Sequence, residues 1–277
     1  MQKTIPNKIG LGLITCDRPE FFEKSFGSVK ENYDISFLVV DDGEESVRDL
    51  INWGEDCNAH YIKTTGRTGV GAAKNKALKY LVECGCEHLF LMEDDIIVKD
   101  QAVFDAYINT SKAFGIKHLN FALHGNHNIN HLGRPNIRKT IDLGTGQKIS
   151  LYPNVLGAFS YYHISTIETC GYMDENFYNA MEHVDHTYQI IKAGMHPPFR
   201  WFADIHNSTD YLQDIVGEHK NSKIRSQEDF IKTFMTAVDY FIKKNGFSVV
   251  PNYGPPEQVT SYKETLQILR DIYDRTR

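Results

Sequence analysis

The chain has 277 residues, 41% of them hydrophobic and 24% charged, which suits a globular protein with a large core and excludes a disordered one. Its 30 Lys and Arg against 36 Asp and Glu give a net charge of −6, which argues against a sequence-independent nucleic-acid binder but leaves room for an anionic ligand held by a few local cations. Five cysteines in neither zinc-ribbon nor CxxC spacing, no leader-like opening and no apolar run near the ~20 residues that span a membrane predict a cytoplasmic protein with reduced thiols and no transmembrane segment.

Apolar runs then alternate with amphipathic stretches. Ile9 to Thr15 predicts a strand, Pro19 to Asn32 a helix, Ile35 to Val40 a strand, Glu44 to Trp53 a helix and Ala59 to Ile62 a strand. Thr68 to Glu83 carries Val70, Ala73, Ala77, Leu78 and Leu81 on one helical face, and His88 to Met92 is a fourth strand. This alternation implies a mainly parallel sheet with crossover helices, whose ligands sit at the carboxyl ends of the strands. Those ends run into Cys16-Asp17-Arg18-Pro19, Asp41-Asp42-Gly43 and Glu93-Asp94-Asp95. Clustered carboxylates cost stability unless cations or hydrogen-bond donors offset them. A hard divalent cation, Mn2+ or Mg2+, suits such oxygen ligands and would bridge to a diphosphate.

Farther on, Ala102 to Phe114 predicts a helix and His118 to Leu123 a strand. The stretch from His124 to Ser150, rich in Gly, Asn and His, is too long for an ordinary connection and reads as a functional loop or an embedded hairpin. Val155 to His163 is strand-like, Ala180 to Ala193 a helix closed by Gly194, and Phe199 to Ala203 a short strand. Gln227 to Lys244 and Gln258 to Thr276 predict two tail helices, suited to packing or to a homodimer contact. Ten of the twelve histidines lie between His118 and His219.

Four segments occur in a telling order: Ile14-Thr15-Cys16-Asp17-Arg18-Pro19-Glu20, Val39-Val40-Asp41-Asp42-Gly43, Gly69-Val70-Gly71-Ala72-Ala73-Lys74-Asn75, and Glu93-Asp94-Asp95. Together they resemble the nucleotide-sugar half of the GT-A glycosyltransferases, above all the large inverting family 2. Gly171-Tyr172-Met173-Asp174-Glu175-Asn176-Phe177 followed by Met181-Glu182-His183-Val184-Asp185 is similar to that family's acceptor-site segment. The resemblance covers about residues 9 to 205. It implies a single GT-A domain over 1–215, with a nucleotide-sugar half to residue 100 and an acceptor half to 215, followed by a helical extension over 216–277.

The activity it implies is metal-dependent transfer of a sugar from a nucleoside diphosphate donor, expected to be a UDP-sugar, to a hydroxyl of a glycan or other acceptor. Thr15, Asp17, Arg18, Asp41, Asp42, Arg67, Lys74 and Asp94 are then the nucleotide and diphosphate residues. Glu93 and Asp95 are the metal ligands, Asp95 foremost, and His206 is a further candidate because GT-A enzymes often recruit a His from this region. The family's Glu-Asp pair is Glu182-His183 here, so the base is His183, Glu182 or Asp185, unless the enzyme is retaining; overall resemblance favours inversion.

Other residues carry two readings each. His124, His127, His131 and Arg134 suit acceptor contacts better than zinc, since no Cys or acid nearby completes a site. Tyr161, Tyr162, Trp201 and Tyr211 suit sugar stacking or core packing. Lys220, Lys223 and Arg225 suit a solvated loop or a lid. Two rival functions remain: a sugar-1-phosphate nucleotidylyltransferase, disfavoured because Thr15-Cys16-Asp17-Arg18-Pro19 is no glycine-rich loop, and a non-catalytic nucleotide- or sugar-binding module. A modified phage DNA acceptor is a minority expectation, against which the acidic balance weighs.

Overall fold

The computed structural model describes residues 8–29, 35–51, 59–215 and 228–276. Strands β1 (Ile9–Thr15), β2 (Ile35–Asp41), β3 (Ala59–Lys63) and β4 (His88–Glu93) alternate with helices α1 (Pro19–Gly27) and α2 (Val70–Glu83). Strands β1, β2 and β4 are aliphatic almost without interruption, the signature of strands covered on both faces. They pair in parallel, with Thr15 beside Asp41 and Ile14 beside Glu93, so the three polar strand ends emerge at one sheet edge. Helix α2 lies close on β1: a Cβ at Gly12 would come within 2.5 Å of the Ala77 Cβ.

The chain continues through β5 (Ile96–Val98), α3 (Val103–Phe114), β6 (His118–Asn120), β7 (Lys139–Asp142), β8 (Lys148–Tyr152) and β9 (Phe159–His163). The central sheet has six strands in the order β3-β2-β1-β4-β9-β6, with β9 antiparallel to both neighbours. That reversal brings the start of β9 to the end of β4, where the Glu93 amide donates to the Ala158 carbonyl at 2.7 Å. The long insertion forms a hairpin, β7 with β8, which β10 (Phe202–Ile205) joins as a third strand.

Helices α4 (Ile164–Cys170), α5 (Glu182–Lys192) and α6 (Ser208–Tyr211), strand β11 (Leu212–Asp214), and helices α7 (Phe230–Asn245) and α8 (Tyr262–Asp274) complete the described chain. One core layer, with Phe90, Tyr107 and Phe159, lies between the sheet and α3; a second, with Ala77, Leu81 and Leu91, lies under α2. The tail helices dock on this body: α8 buries Leu269 and Ile272 in the first layer, and α7 buries Val238 and Phe241 against Phe177 and Met181.

One expected element differs for a physical reason. The stretch from Glu44 to Trp53 yields only one 3-10 turn, Arg48–Leu50. The Glu44 and Glu45 amides donate to Asp17 Oδ1 at 2.7 and 3.1 Å, and the Val47 amide donates to Asp41 Oδ2 at 3.0 Å, so no helical ladder starts there. Residues 52–58, with Cys57, and the expected lid cations Lys220, Lys223 and Arg225 lie outside the described residues. Tyr161, Tyr162 and Trp201 are buried in the core and Tyr211 packs on it.

Candidate functional site

At the sheet edge the carboxylates are paired rather than left to repel. Thr15 Oγ1 donates to Asp94 Oδ2 at 2.6 Å, and Arg18, at the head of α1, pairs with Asp94 Oδ1 and with Asp95 Oδ2 (3.2 Å). Burial nonetheless pushes the Asp94 carboxyl up to about 7, against the pull of Arg18, and the neighbouring Asp95 charge adds to it. Asp42 accepts from Thr64 Oγ1 (2.7 Å), the Thr68 amide (2.9 Å) and the Gly69 amide (2.9 Å), fixing the approach to α2. Asp41 is saturated by the Gly43 and Val47 amides, Tyr61 and Lys63. Asp17, at φ 53°, holds Arg67 at 2.8 Å; burial would raise its carboxyl, but Arg67 and two backbone amides bring it below the usual range.

Lys74 is the centre of the next layer. Its ammonium, buried with a relative exposure of 1%, reaches Glu93 Oε1 at 2.6 Å, Glu182 Oε1 at 3.2 Å and the Gly157 carbonyl at 3.1 Å. Burial alone would lower its pKa, but the two carboxylates outweigh that and raise it. The same balance keeps Glu182 ionised: burial would raise its carboxyl, and Lys74 followed by His183 pulls it well below the ordinary value. Glu182 opens α5 directly after Met181, which adopts a left-handed φ of 70°. The His183 Nδ1 lies 3.1 Å from Glu182 Oε1. An ionised carboxylate only accepts, so Nδ1 carries a proton, and in the neutral ring the lone pair is then on Nε2.

Most of these groups line one cavity of about 500 Å3. Thr15, Arg18, Asp42, Arg67, Glu93, Asp94, Asp95, Glu182 and His183 line it, while Asp17, Asp41 and Lys74 stand behind the lining residues. Two expected members fall elsewhere. Asp185 points to the tail, bonding Lys244 (2.8 Å), Asn245 (2.9 Å) and Gln189 (3.1 Å). His206 is exposed beyond β10 and bonds Ser150 Oγ at 2.9 Å. His124 and His127 line the cavity, whereas His131 and Arg134 are exposed outside it. His124 pairs with Asp214 at 2.8 Å; burial would lower its pKa, but Asp214 and the Asp95 charge raise it to about 9.

Sequence reasoning missed Gly157, whose absent side chain leaves room for His183 and Lys74, and the aromatic wall from α7, Phe230 and Phe234. The signal for Gly157 was present: an isolated glycine in an apolar run marks close backbone approach. The donor set also fits a divalent cation. Asp95 Oδ1 is buried without a hydrogen-bond partner, and a hard carboxylate oxygen beside a second carboxylate is what Mn2+ and Mg2+ take. Among the described residues, no three His, Cys, Asp or Glu side chains are already grouped around a metal position.

No protein-family model matches the sequence, and no curated protein matches it. Solved structures do. S. aureus TarS matches over 97% of this chain and 43% of its own, at 13% identity and a TM-score of 0.54. Its 1–349 portion, in complex with UDP-GlcNAc, matches over 97% of this chain and 72% of its own, at 14% identity and a TM-score of 0.54. The fold is GT-A. The mannosyltransferase PcManGT from Pyrobaculum calidifontis, in complex with GDP-Man and Mn2+, matches over 68% of this chain and 52% of its own, at 13% identity and a TM-score of 0.48. The chain thus spans about half the length of PcManGT and 43% of full TarS. Among the described residues no helix is long and apolar enough to cross a membrane.

Proposed function

We propose that the protein is a glycosyltransferase that moves a sugar from a UDP-sugar to an acceptor hydroxyl, with inversion at the anomeric carbon. One observation carries this reading: a single cavity joins the carboxylate-rich strand ends to an oriented carboxylate–imidazole pair, Glu182 and His183. The likeness to TarS, whose 1–349 portion was solved with UDP-GlcNAc, supports uridine as the nucleotide. Thr15, Asp42 and Arg67 border the nucleotide, Asp17 and Asp41 hold the loops that present them, and Arg18, Lys74 and Asp94 set the charge around the diphosphate. Bound Mn2+ or Mg2+ would be held by Asp95, with Glu93 next to it, and would neutralise charge on the leaving diphosphate. His206 is a weaker candidate for that ligand set, given its bond to Ser150.

His183 serves as the base. Its Nε2 takes the acceptor proton while the acceptor oxygen bonds to the anomeric carbon and the bond to the diphosphate oxygen breaks, its electron pair leaving with UDP. Glu182, held ionised by Lys74, orients the imidazole and stabilises its charged form. Asp185 anchors α7 through Lys244 and takes no part in the chemistry. The catalytic domain is 1–215, and the extension over 216–277 closes the cavity with Phe230 and Phe234. Cytoplasmic residence is part of this reading and rests on the odd count and spacing of the five cysteines. A homodimer through the tail helices would cover Ile231, which is 75% exposed on α7.

The test is UDP release from a panel of UDP-sugars with Mn2+ present. His183→Ala is expected to lose about 10²- to 10⁴-fold in kcat, Asp95→Ala to lose metal-stimulated turnover, and Asp185→Asn to keep kcat within a few-fold while melting earlier. Full turnover in His183→Ala would remove it as the base, and failure of the wild type to bind UDP would sink the whole reading.

A further inference from the structure

The cavity does not end at His183. Beyond the Glu182–His183 pair it continues between the segment before β9 (Val155), α5 (Val184), the turn into β10 (Phe199 and Phe202) and α7 (Phe230 and Phe234). Among the described residues, these side chains make this half mainly apolar. Phe199 and Phe202 meet edge to face at 5.0 Å, and Phe230 and Phe234, one helical turn apart, have ring centroids 6.2 Å apart at 31°. The α7 rings are only half-buried. Two polar groups bordering this half are engaged elsewhere: Arg200 donates to Glu257 (2.5 Å), Asn154 (3.2 Å) and the Val249 carbonyl (2.8 Å), and Asn154 donates to the His127 carbonyl (2.8 Å).

An acceptor whose hydroxyl sits at His183 has this half of the cavity next to it. A polyhydroxylated sugar would exchange water for hydrocarbon there with few new hydrogen bonds. A flat ring gains area and edge-to-face contacts from the phenylalanines instead. The phenylalanine faces and edges match a planar ring better than a flexible alkyl chain. We propose that the acceptor is an aromatic alcohol, a hydroxyl borne on or next to a planar ring, with the ring seated between Phe199, Phe202, Phe230 and Phe234. This rests on the glycosyltransferase reading, since it identifies the apolar half as that reaction's acceptor subsite.

The experiment separates the two. UDP is first titrated calorimetrically into the full chain with Mn2+; absence of binding would sink the glycosyltransferase reading and the acceptor assignment with it. The UDP-loaded protein is then dialysed against the fluorescent phenol 4-methylumbelliferone. Saturable binding is expected, weakened about tenfold in Phe234→Ser by loss of one ring contact, with UDP affinity unchanged as the check on folding. Methyl β-glucopyranoside and n-octanol should not displace the probe. With UDP binding intact, three results would overturn the aromatic assignment: no saturable uptake, uptake unaffected in both Phe234→Ser and Phe230→Ser, or equal displacement by the glucoside or by octanol.

Discussion

Gly157 bears no side chain because none fits. A Cβ there would lie 2.9 Å from His183 Cγ, 3.0 Å from its Nδ1 and 3.0 Å from Lys74 Nζ. The ring and the ammonium are both tied to Glu182, so neither can move aside without breaking the pair that orients the other. Gly157→Ala therefore tests the catalytic geometry without removing a functional group. A displacement of about 1 Å at a reacting group costs on the order of a hundredfold in rate, and kcat for UDP release should fall by about that much while UDP affinity holds. An unchanged kcat would mean that the imidazole position near Gly157 is not the reactive one.

At the scale of elements, what could be read from sequence was what local pattern encodes. Helix α2 and strands β1, β2 and β4 lie close to their expected positions because apolar periodicity and continuous burial are local signals. The expected helix at Glu44 failed for a non-local reason, the capture of its amides by Asp17 and Asp41. The candidate site divides in the same way. Its strand-end carboxylates were legible, but the bridge from Lys74 to Glu182 spans 108 residues and the bond from Asp185 to Lys244 spans 59, and no spacing rule reaches so far. Helix α8 is the counter-example: Ser261-Tyr262-Lys263-Glu264 spells a capping box, and the box forms. The Glu264 amide donates to Ser261 Oγ at 3.3 Å and the Ser261 amide donates to Glu264 Oε2 at 2.9 Å. Ser261→Ala should cost about 1 kcal/mol, read as a lower urea midpoint with unchanged slope. No loss would mean that the bond from Trp201 Nε1 to the Thr260 carbonyl (2.9 Å) holds the helix start by itself.

Across the whole molecule, the described histidines differ in environment. His124, His127 and His183 line the cavity, whereas His88, His118, His186 and His196 are buried in the packing around the sheet. Desolvation lowers the pKa of all four buried rings, to about 4 for His88 and His196. Hydrogen bonding explains why His196 resists protonation. The Ala203 amide donates to its Nε2 at 3.3 Å, so Nδ1 must donate to the Pro197 carbonyl at 2.8 Å, and a second ring proton would face a donor. His88 keeps one buried nitrogen with no partner, which cannot stabilise a charge either. A group whose folded pKa is depressed takes up its proton first in the unfolded chain, so this stability is complete above the unfolded value of about 6.5 and is lost as pH falls toward 4. For His88 and His196 a shift of that size is worth about 3 kcal/mol each near pH 4, comparable in sum to the stability of an ordinary domain. The urea midpoint of the metal-free protein should therefore hold near pH 7 and drop steeply between pH 6 and pH 4.5. His196→Gln would flatten that slope at some cost in stability at pH 7. A midpoint independent of pH over that window would mean that these rings are already charged, or reach water, in the folded protein.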